Sequence, residues 1–135
     1  MWVVSLCAWQ PHYRAKLKLV ALPSINAALA YASKPALIIL HTDDPADFAD
    51  THFACDVDIR LIQPDPGAPY QNYGNADRLS LESAPEDANI AFLTSDIIVN
   101  VEFFANAEKR FAEGKRCIIG SAARTLADLS DIPVG

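Results

Sequence analysis

Residues 89–100 read NIAFLTSDIIVN, and this stretch decides which fold and function the sequence predicts. One apolar run leads into the polar step Thr94-Ser95-Asp96, and a second apolar run follows it. A short apolar run bounded by polar residues is typical of a buried strand. A carboxylate framed by apolar residues is costly unless it is solvated, hydrogen-bonded or bound to a metal. We therefore predict that a buried strand delivers Asp96 to the functional edge of a sheet, with capping of the next helix as the alternative.

Similar short apolar runs alternate with longer segments of helical period along the chain. The predicted strands lie at about residues 2–8, 36–44, 57–65, 89–100 and 116–125. The predicted helices lie at residues 12–33, 44–54, 75–88 and 101–115, and a loop rich in proline, glycine and asparagine covers residues 64–75. This alternation predicts an α/β fold in one domain over residues 1–135. We expect a mainly parallel, Rossmann-like sheet with helices on both faces, in three α/β/α layers.

A proline interrupts the first predicted helix. Pro23 lacks the N–H that a helix interior uses and its ring crowds the preceding turn, so we expect a kink or a split there. Ser24 follows directly and is a residue type that caps helix N-termini, so we expect it to cap the second part of the helix.

The composition limits the classes of partner. The chain has 135 residues, of which 51% are hydrophobic, and this supports a sizeable core without disulfides or a structural metal. The formal net charge is −6 and the lysines and arginines are scattered. Nucleic-acid binding needs a basic patch or stripe, so we expect no nucleic-acid partner. No apolar run approaches the roughly 20 residues that cross a bilayer, so we expect no membrane span.

The cysteines indicate a reducing environment. Cys7, Cys55 and Cys117 are odd in number, and no pair has C-x-x-C spacing. Each lies in or beside an apolar segment, where a thiol usually behaves as a small hydrophobic group. Free thiols fit a reducing compartment, and the first residues lack the charged start and long apolar core of a signal peptide. We therefore expect a cytoplasmic protein.

Acidic residues follow several of the predicted strands. Ligands of open parallel sheets bind outside the carboxyl ends of the strands, and Asp43, Asp44, Asp65 and Asp96 lie at those ends. Converging carboxylates favour a hard cation such as Mg²⁺ or Mn²⁺. The alternatives are that Asp43 or Asp44 caps the following helix and that Asp65 lies in a turn.

Several motifs with known chemistry are absent from the sequence. Neither G-x-G-x-x-G nor G-x-x-x-x-G-K-[ST] occurs, which argues against a nicotinamide-dinucleotide site and a P-loop. G-x-S-x-G is also absent, which argues against an α/β-hydrolase. His12, His41 and His52 are isolated and have no metal-ligand spacing, so we expect surface or packing roles, although His41 lies at a strand end.

Three segments resemble the nucleotide-sugar glycosyltransferases of the GT-A fold. Residues 5–29 read as a strand, an aromatic and polar turn and a basic helix, and residues 37–48 as a strand that ends in acids. Residues 87–125 read as a strand carrying T-S-D, a helix and another strand. In that family a D-x-D motif at this place holds a divalent metal, which bridges the diphosphate of the donor and stabilises the leaving nucleoside diphosphate. Asp96 matches the last position of the motif, and Thr94 stands where the first acid would be.

The resemblance implies how the diphosphate is held. Asp96, helped by Ser95 and Thr94, would hold Mn²⁺ or Mg²⁺, or the diphosphate itself. The expected ligand is a nucleotide-diphosphate sugar.

The resemblance also implies neighbours for the rest of the nucleotide. Trp9 would border it, and Asp43 or Asp44 would bind the ribose or the base. Arg78 or Arg124 would offset phosphate charge; a solvated helix face or strand end is the alternative for both arginines.

GT-A enzymes usually continue well past the length of this sequence. Their later half supplies much of the acceptor site and, in inverting members, the general base. We therefore expect a truncated, donor-binding part of a glycosyltransferase, or a minimal relative whose acceptor site is built by a partner. The sequence assigns no catalytic residue. A sheet edge left exposed favours self-association, so a homo-oligomer is the corresponding expectation.

Two other hypotheses stay open at this point. A non-catalytic relative that binds a nucleotide, or nothing, is favoured by the missing first acid of the motif. A receiver-like signalling module of flavodoxin-like shape would need an acidic pair after the first strand and a lysine after the fifth. Here the acidic pair follows the second strand, and Asp65 is the only candidate phosphate acceptor after the third.

Overall fold

Four parallel strands form the main sheet in the computed structural model of this chain, which describes residues 1–116 and 123–124. These strands are β1 (Trp2–Ala8), β2 (Ala36–Thr42), β3 (Asp56–Leu61) and β4 (Asn89–Phe92). Their spatial order is β3-β2-β1-β4. A separate antiparallel pair is formed by β5 (Ile97–Ile98) and β6 (Ala123–Arg124). β1 is buried along its whole length because it lies between two strands and helices pack on both of its faces.

Helices alternate with these strands and cover both faces of the main sheet. They are α1 (Pro11–Lys16), a π-helical segment (Leu17–Ala21), α2 (Leu22–Tyr31), a 3₁₀ turn (Pro45–Phe48), α3 (Pro69–Ser83) and α4 (Phe103–Ala112). α3 packs on one face, and α2, α4 and the π-helical segment pack on the other. The predicted α/β class, a parallel and Rossmann-like sheet between helices, is confirmed.

One face of the sheet is apolar, and most of the core lies there. Every second residue of β1, beginning with Trp2, joins a buried cluster with Leu40 of β2. Leu17 and Phe104 cover the cluster from the helical side, and the rings of Trp2 and Phe104 meet edge to face with centroids 5.0 Å apart. In this cluster, alternate residues of a strand pack against helix residues that recur with a period of 3.6.

Of the two outcomes expected at Pro23, a kink or a split, the split does not occur. The chain runs from α1 into α2 through the π-helical segment, where the N–H of Leu22 bonds to the carbonyl of Leu17, five residues back. This wider turn accommodates the missing N–H of Pro23 at the beginning of α2. Ser24 therefore does not cap a new helix, and its hydroxyl donates to the carbonyl of Ala21 at 2.8 Å.

α3 begins earlier than the sequence predicts, so the loop assigned to residues 64–75 is shorter. Pro69 stands in the first turn of the helix, a place that tolerates a missing N–H. Asn72 fixes the preceding loop, since its side chain accepts the N–H of Asp65 at 3.1 Å and donates to the carbonyl of Asp65 at 2.8 Å. The residues that signal a loop therefore also begin this helix.

Residues 89–100 form two short strands instead of one. β4 ends at Phe92, and β5 begins at Ile97 in the second sheet. The strand predicted at residues 116–125 lies outside the described residues except at its first residue and at β6, and Cys117 lies outside them too. Across the described parts of the chain, no helix has both the length and the apolar character needed to cross a membrane.

Candidate functional site

The strand order reverses between β1 and β4, so a ligand crevice is expected at the carboxyl ends of these two strands. The chain proceeds outward from β1 to β2 and β3 and then crosses to β4 on the other side of β1. Ligands of open α/β sheets bind where the strand order reverses in this way. β4 ends opposite Ser5, whereas β1 continues to Ala8, so the two strands separate after this point. Trp9 follows β1 and the residues 94–96 follow β4, so both lie at this crevice.

The same strand order bears on the receiver-like alternative. The order β3-β2-β1-β4 matches the first four strands of the dinucleotide-binding arrangement, 3-2-1-4-5-6. Flavodoxin-like proteins have the order 2-1-3-4-5 instead. The described sheet therefore argues against a receiver-like module.

Two aromatic residues line the α3 side of the crevice. Trp9, 6% exposed, packs with Ala76, and its ring meets that of Tyr73 edge to face with centroids 6.4 Å apart. Burial raises the pKa of Tyr73, the Trp9 indole opposes that rise, and the charge of Asp96 adds to it. The buried indole N–H of Trp9 nevertheless has no partner in hydrogen-bonding geometry among the described residues. A buried donor of this kind costs about 1–3 kcal/mol when it is left unpaired.

The turn of residues 94–96 is anchored at both ends. On the β4 side, the N–H of Leu93 donates to the carbonyl of Ser5 at 3.1 Å. On the β5 side, the N–H of Val99 donates to the hydroxyl of Ser24 at 3.1 Å. The turn is therefore tied to the central strand of the sheet and to a helix on its apolar face.

Within this turn the polar residues differ in exposure. Thr94 is exposed, and its hydroxyl donates to Oδ1 of Asp96 at 2.9 Å. Ser95 and Asp96 are buried, with Asp96 only 4% exposed. Glu102, not Asp96, holds the N-cap position of α4, so the capping alternative for Asp96 is wrong. The carboxylate therefore follows a strand of the main sheet, as expected, but β4 is only partly buried because it is the edge strand of the described sheet.

The acids after β2 gather around Arg14 of α1. Nη1 of Arg14 donates to Asp43 at 2.7 Å, Nε donates to Asp47 at 3.0 Å, and Asp44 lies 3.8 Å from Nη2. The backbone N–H of Gln10 donates to the second oxygen of Asp43 at 3.0 Å. Burial opposes the charged form of Asp43, but the Gln10 N–H and then Arg14 outweigh it and lower its pKa. Asp43 therefore serves to hold α1 against β2.

Asp44 is more available to a ligand than Asp43. Its side chain is 49% exposed, and its ion pair with Arg14 is long at 3.8 Å. Asp44 occupies the N-cap position of the 3₁₀ turn, but its carboxylate makes no capping hydrogen bond, so the capping alternative is wrong for this side chain. Of the two acids expected to bind the ribose or the base, Asp44 has the freer carboxylate.

The four acids expected at the sheet edge do not converge on one point. Asp43 and Asp44 face Arg14, because attraction to the guanidinium outweighs the repulsion between carboxylates. Asp65 accepts the N–H of Gly67 at 2.9 Å, so it lies in a turn as the alternative predicted. Within residues 1–116 and 123–124, no three His, Cys, Asp or Glu side chains are grouped so that they could hold a metal ion.

The two candidate arginines lie in different places. Arg78 is on the exposed side of α3 and pairs with Glu82 at 2.8 Å, which matches the solvated-helix alternative. Arg124 lies in β6, where its backbone pairs with that of Ile97, the residue after Asp96. The register therefore brings the backbone of Arg124 next to the turn.

The sequence analysis missed a polar network beneath α3. The hydroxyl of Ser5 donates to Asp77 at 2.8 Å. It lies 2.9 Å from the hydroxyl of Ser80, and since its single proton is used on Asp77, it accepts the hydrogen bond from Ser80. Burial raises the pKa of Asp77, opposed by the Ser5 hydrogen bond. Ser5 interrupts the apolar run of β1, and the spacing of Asp77 and Ser80 places both on one face of α3. These two signals could have identified the network.

His41 is a second buried polar group on this face. It is 1% exposed, and neither ring nitrogen has a hydrogen-bond partner among the residues described. It lies between Cys7 and Arg60 in the sheet register. Burial lowers the pKa of His41, the charge of Arg60 lowers it further, and Asp58 opposes both. The expectation of a packing role fits its burial but not its two unpaired nitrogens.

Cys7 is buried, as the sequence predicts. Burial, followed by the charges of Asp77 and Asp43, raises its pKa to about 12. Its thiol therefore stays protonated and is a poor nucleophile.

The fold defines an α/β protein whose expected ligand site lies at the carboxyl ends of β1 and β4. One solved structure, that of an enzyme, has a similar fold. S. aureus TarS, in a crystal structure of its residues 1–349, is similar to this chain with a TM-score of 0.54 and 14% sequence identity. TarS is a glycosyltransferase. The match covers 84% of this chain and 33% of the other, so this chain spans about a third of that structure. At this identity the similarity shows the fold alone, which is glycosyltransferase-like.

Comparisons of the sequence with known proteins give no further assignment. No family model matches the chain, and no curated protein matches it.

Proposed function

We propose that this chain is the donor-binding part of a nucleotide-sugar glycosyltransferase of the GT-A fold. In this proposal the nucleoside lies beside Trp9 in the crevice between β1 and β4, and the diphosphate lies at the Thr94–Asp96 turn. The observation that carries the proposal is the position of Asp96. It is a carboxylate, 4% exposed, that lies in the turn between β4 and β5, beyond the carboxyl end of β4 and at the point where the strand order reverses.

Three further features support the proposal. The buried indole N–H of Trp9 needs an acceptor, which a ribose or phosphate oxygen would supply once Tyr73 shifts. Asp44, with its exposed carboxylate, is suited to accept hydrogen bonds from ribose hydroxyls or a base N–H. Arg124, opposite Ile97 in the β5–β6 pair, would offset phosphate charge.

The turn fits a divalent metal that is held mainly by the phosphates of the donor. Mg²⁺ is often bound through one or two carboxylates together with substrate phosphates and waters. Asp96 would supply a carboxylate, and the Thr94 hydroxyl, 2.9 Å from it, would orient that carboxylate or hydrogen-bond a phosphate. Mn²⁺ or Mg²⁺ bound there would neutralise the diphosphate and stabilise the leaving nucleoside diphosphate.

The proposal concerns donor binding. Transfer of the sugar also needs an acceptor site, and the proposal places that site in a further part of the protein or in a partner. The similar glycosyltransferase structure, of which this chain spans 33%, is long enough to contain both sites.

Calorimetry tests the role of Asp96 directly. We expect the purified chain to bind at least one of UDP, GDP and CDP more tightly with Mn²⁺ than without it. Asp96→Asn should weaken that binding by about tenfold to a hundredfold, since a contact between charged groups is lost. Asp87→Asn is the matched control: it makes the same change of charge at an exposed acid before β4, at the opposite edge of the sheet, and should leave the affinity unchanged.

Two results would contradict the proposal. If the unmodified chain binds none of the three nucleotides with or without Mn²⁺, a donor site is absent, and the non-catalytic relative is favoured. If Asp96→Asn and Asp87→Asn bind equally well, the diphosphate does not lie at the Thr94–Asp96 turn.

A further inference from the structure

We propose that Ser24, in the first turn of α2, is a positioning residue that holds the Thr94–Asp96 turn in its ligand-binding conformation. This inference rests on the proposed function, because it assigns Ser24 an effect on the diphosphate through that turn. Ser24 itself is placed on a helix of the apolar face and is not assigned a contact with the ligand.

The geometry of the Ser24 hydroxyl makes it a specific acceptor. Its single proton is committed to the carbonyl of Ala21 at 2.8 Å. Its lone pairs are therefore free to accept the N–H of Val99, which lies 3.1 Å away. Val99 is buried, so this N–H would otherwise lack a water partner. One hydroxyl thus joins a helix to the residue that follows β5, 75 residues later in the chain.

The π-helical segment explains why a helix residue is available at this place. Ile97 and Val99 are buried in the same apolar cluster as Leu17 and Ala21 of that segment. A π turn adds one residue to the helix, and one residue corresponds to a rotation of about 100°. Residues after the segment are therefore rotated relative to those of a continuous α-helix, and this rotation sets the direction of Ser24.

The turn is short, so the contacts at its ends determine its shape. The N–H of Leu93 is fixed on Ser5 of β1, β5 pairs with β6, and the N–H of Val99 is fixed on Ser24. Because β5 has only two residues, loss of the Ser24 anchor would loosen the β5 end of the turn and with it the position of Asp96. The nucleoside site beside Trp9 follows β1 and does not depend on that anchor. Ser24 should therefore affect diphosphate binding without affecting nucleoside binding.

The test compares three variants of the full chain. Ser24→Ala removes the acceptor, and Ser24→Thr keeps an Oγ in its place. Asn26→Ala is the matched control on the same helix: its side chain donates to the carbonyl of His52 and accepts the N–H of Ala54, each at 2.9 Å, so it ties α2 to a different segment. Each variant is titrated with the nucleoside diphosphate that the unmodified chain binds, with Mn²⁺, and with the corresponding nucleoside.

The expected result separates positioning from general stability. Ser24→Ala should weaken diphosphate binding by about fivefold to tenfold, the net effect of one hydrogen bond, and leave nucleoside binding unchanged. Ser24→Thr should restore the affinity, and Asn26→Ala should leave both affinities unchanged. Equal weakening of both ligands by Ser24→Ala, or the same loss in Asn26→Ala, would overturn the inference.

Hydrogen exchange keeps this test separate from that of the proposed function. In the free protein, Ser24→Ala should speed amide exchange at Ser95, Asp96 and Val99, whereas Asn26→Ala should not. If the unmodified chain binds no nucleotide, the proposed function fails, and the exchange rates alone then decide whether Ser24 orders the turn. Unchanged exchange at these three amides would overturn the inference.

Discussion

The two faces of the main sheet are covered in different ways. On the face of α2 and α4, alternate residues of β1 pack into a continuous apolar cluster that includes Trp2 and Phe104. On the face of α3, the intervening residues of β1 meet a mixed layer that contains the Ser5–Asp77 hydrogen bond and the unpaired nitrogens of His41. The same strand therefore contributes to an apolar core on one side and to a polar layer on the other.

This difference separates stability from recognition. Apolar burial is the main favourable term in folding, so the face of α2 and α4 supplies most of the stability. Buried polar groups that lack partners cost free energy, and such violations are expected at functional sites. The α3 face ends at Trp9 and Tyr73, beside the proposed nucleoside site. A fold can tolerate that cost on one face because the other face offsets it.

The largest predicted effect concerns the apolar face. Phe104→Ala removes a fully buried ring that packs on Trp2, and it should lower the free energy of unfolding by about 3–5 kcal/mol. Phe92→Ala is the matched control, because the Phe92 ring is 51% exposed at the end of β4, and it should cost less than about 1 kcal/mol. Urea unfolding of both variants measures the difference. Similar costs for the two would mean that the apolar face does not dominate the stability.

A smaller effect is predicted at the polar network. Asp77→Ala leaves the Ser5 hydroxyl without its acceptor and should lower the free energy of unfolding by about 1–2 kcal/mol. Asp77→Asn keeps a carbonyl acceptor and removes the buried charge, so it should be neutral or stabilising at pH 7. Burial raises the pKa of Asp77 in the folded state, so the wild type loses stability as the pH rises from 3.8 through that pKa, and the amide should abolish this loss. Urea unfolding at several pH values measures the effect of each variant and the pH dependence of the wild type. Equal destabilisation by the two variants would mean that the charge of Asp77 does not reduce the stability.

The smallest effect is a change of pH dependence at His41. Burial holds its folded pKa below 6.5, the value for the unfolded chain. As the pH falls through 6.5, the unfolded chain gains a proton that the folded chain does not, so stability decreases by at most about 1.4 kcal/mol per pH unit. His41→Phe should flatten this slope down to about pH 5, whereas His12→Phe, at an exposed histidine, should preserve it. An unchanged slope in His41→Phe would mean that His41 is protonated in the folded state.

Much of the fold could be predicted from local patterns. Short apolar runs placed β1, β2 and β4, and their alternation with segments of helical period assigned the α/β class, because the apolar pattern reflects which parts of an element are buried. The beginning of α3 was missed because Pro69 and Gly74 are loop signals that this helix tolerates. Tyr73 lies in that stretch, so the aromatic pair it forms with Trp9 was missed as well.

The candidate site could be predicted only in part. Asp96 stands out in the sequence because a charged side chain between apolar neighbours is costly in free energy. The structure places it, buried, in the turn after β4. The prediction that the four acids converge was wrong because Arg14 attracts Asp43 and Asp44. No local sequence pattern links a residue of α1 to the end of β2. Arg78 and Arg124 could not be ranked, since only the β5–β6 register places one of them beside the turn.

By itself the sequence determined the alternation of strands and helices, the apolar segments that build the core, and that a carboxylate lies between two apolar runs. These properties are local, because they depend on the residue types within a few turns of one element. The tertiary structure decided the strand order, which brings the end of β4 beside the end of β1, and the partners of Arg14 and Ser24. Those properties depend on pairing between distant segments, whose free energy is set by contacts that exist only once the chain has folded.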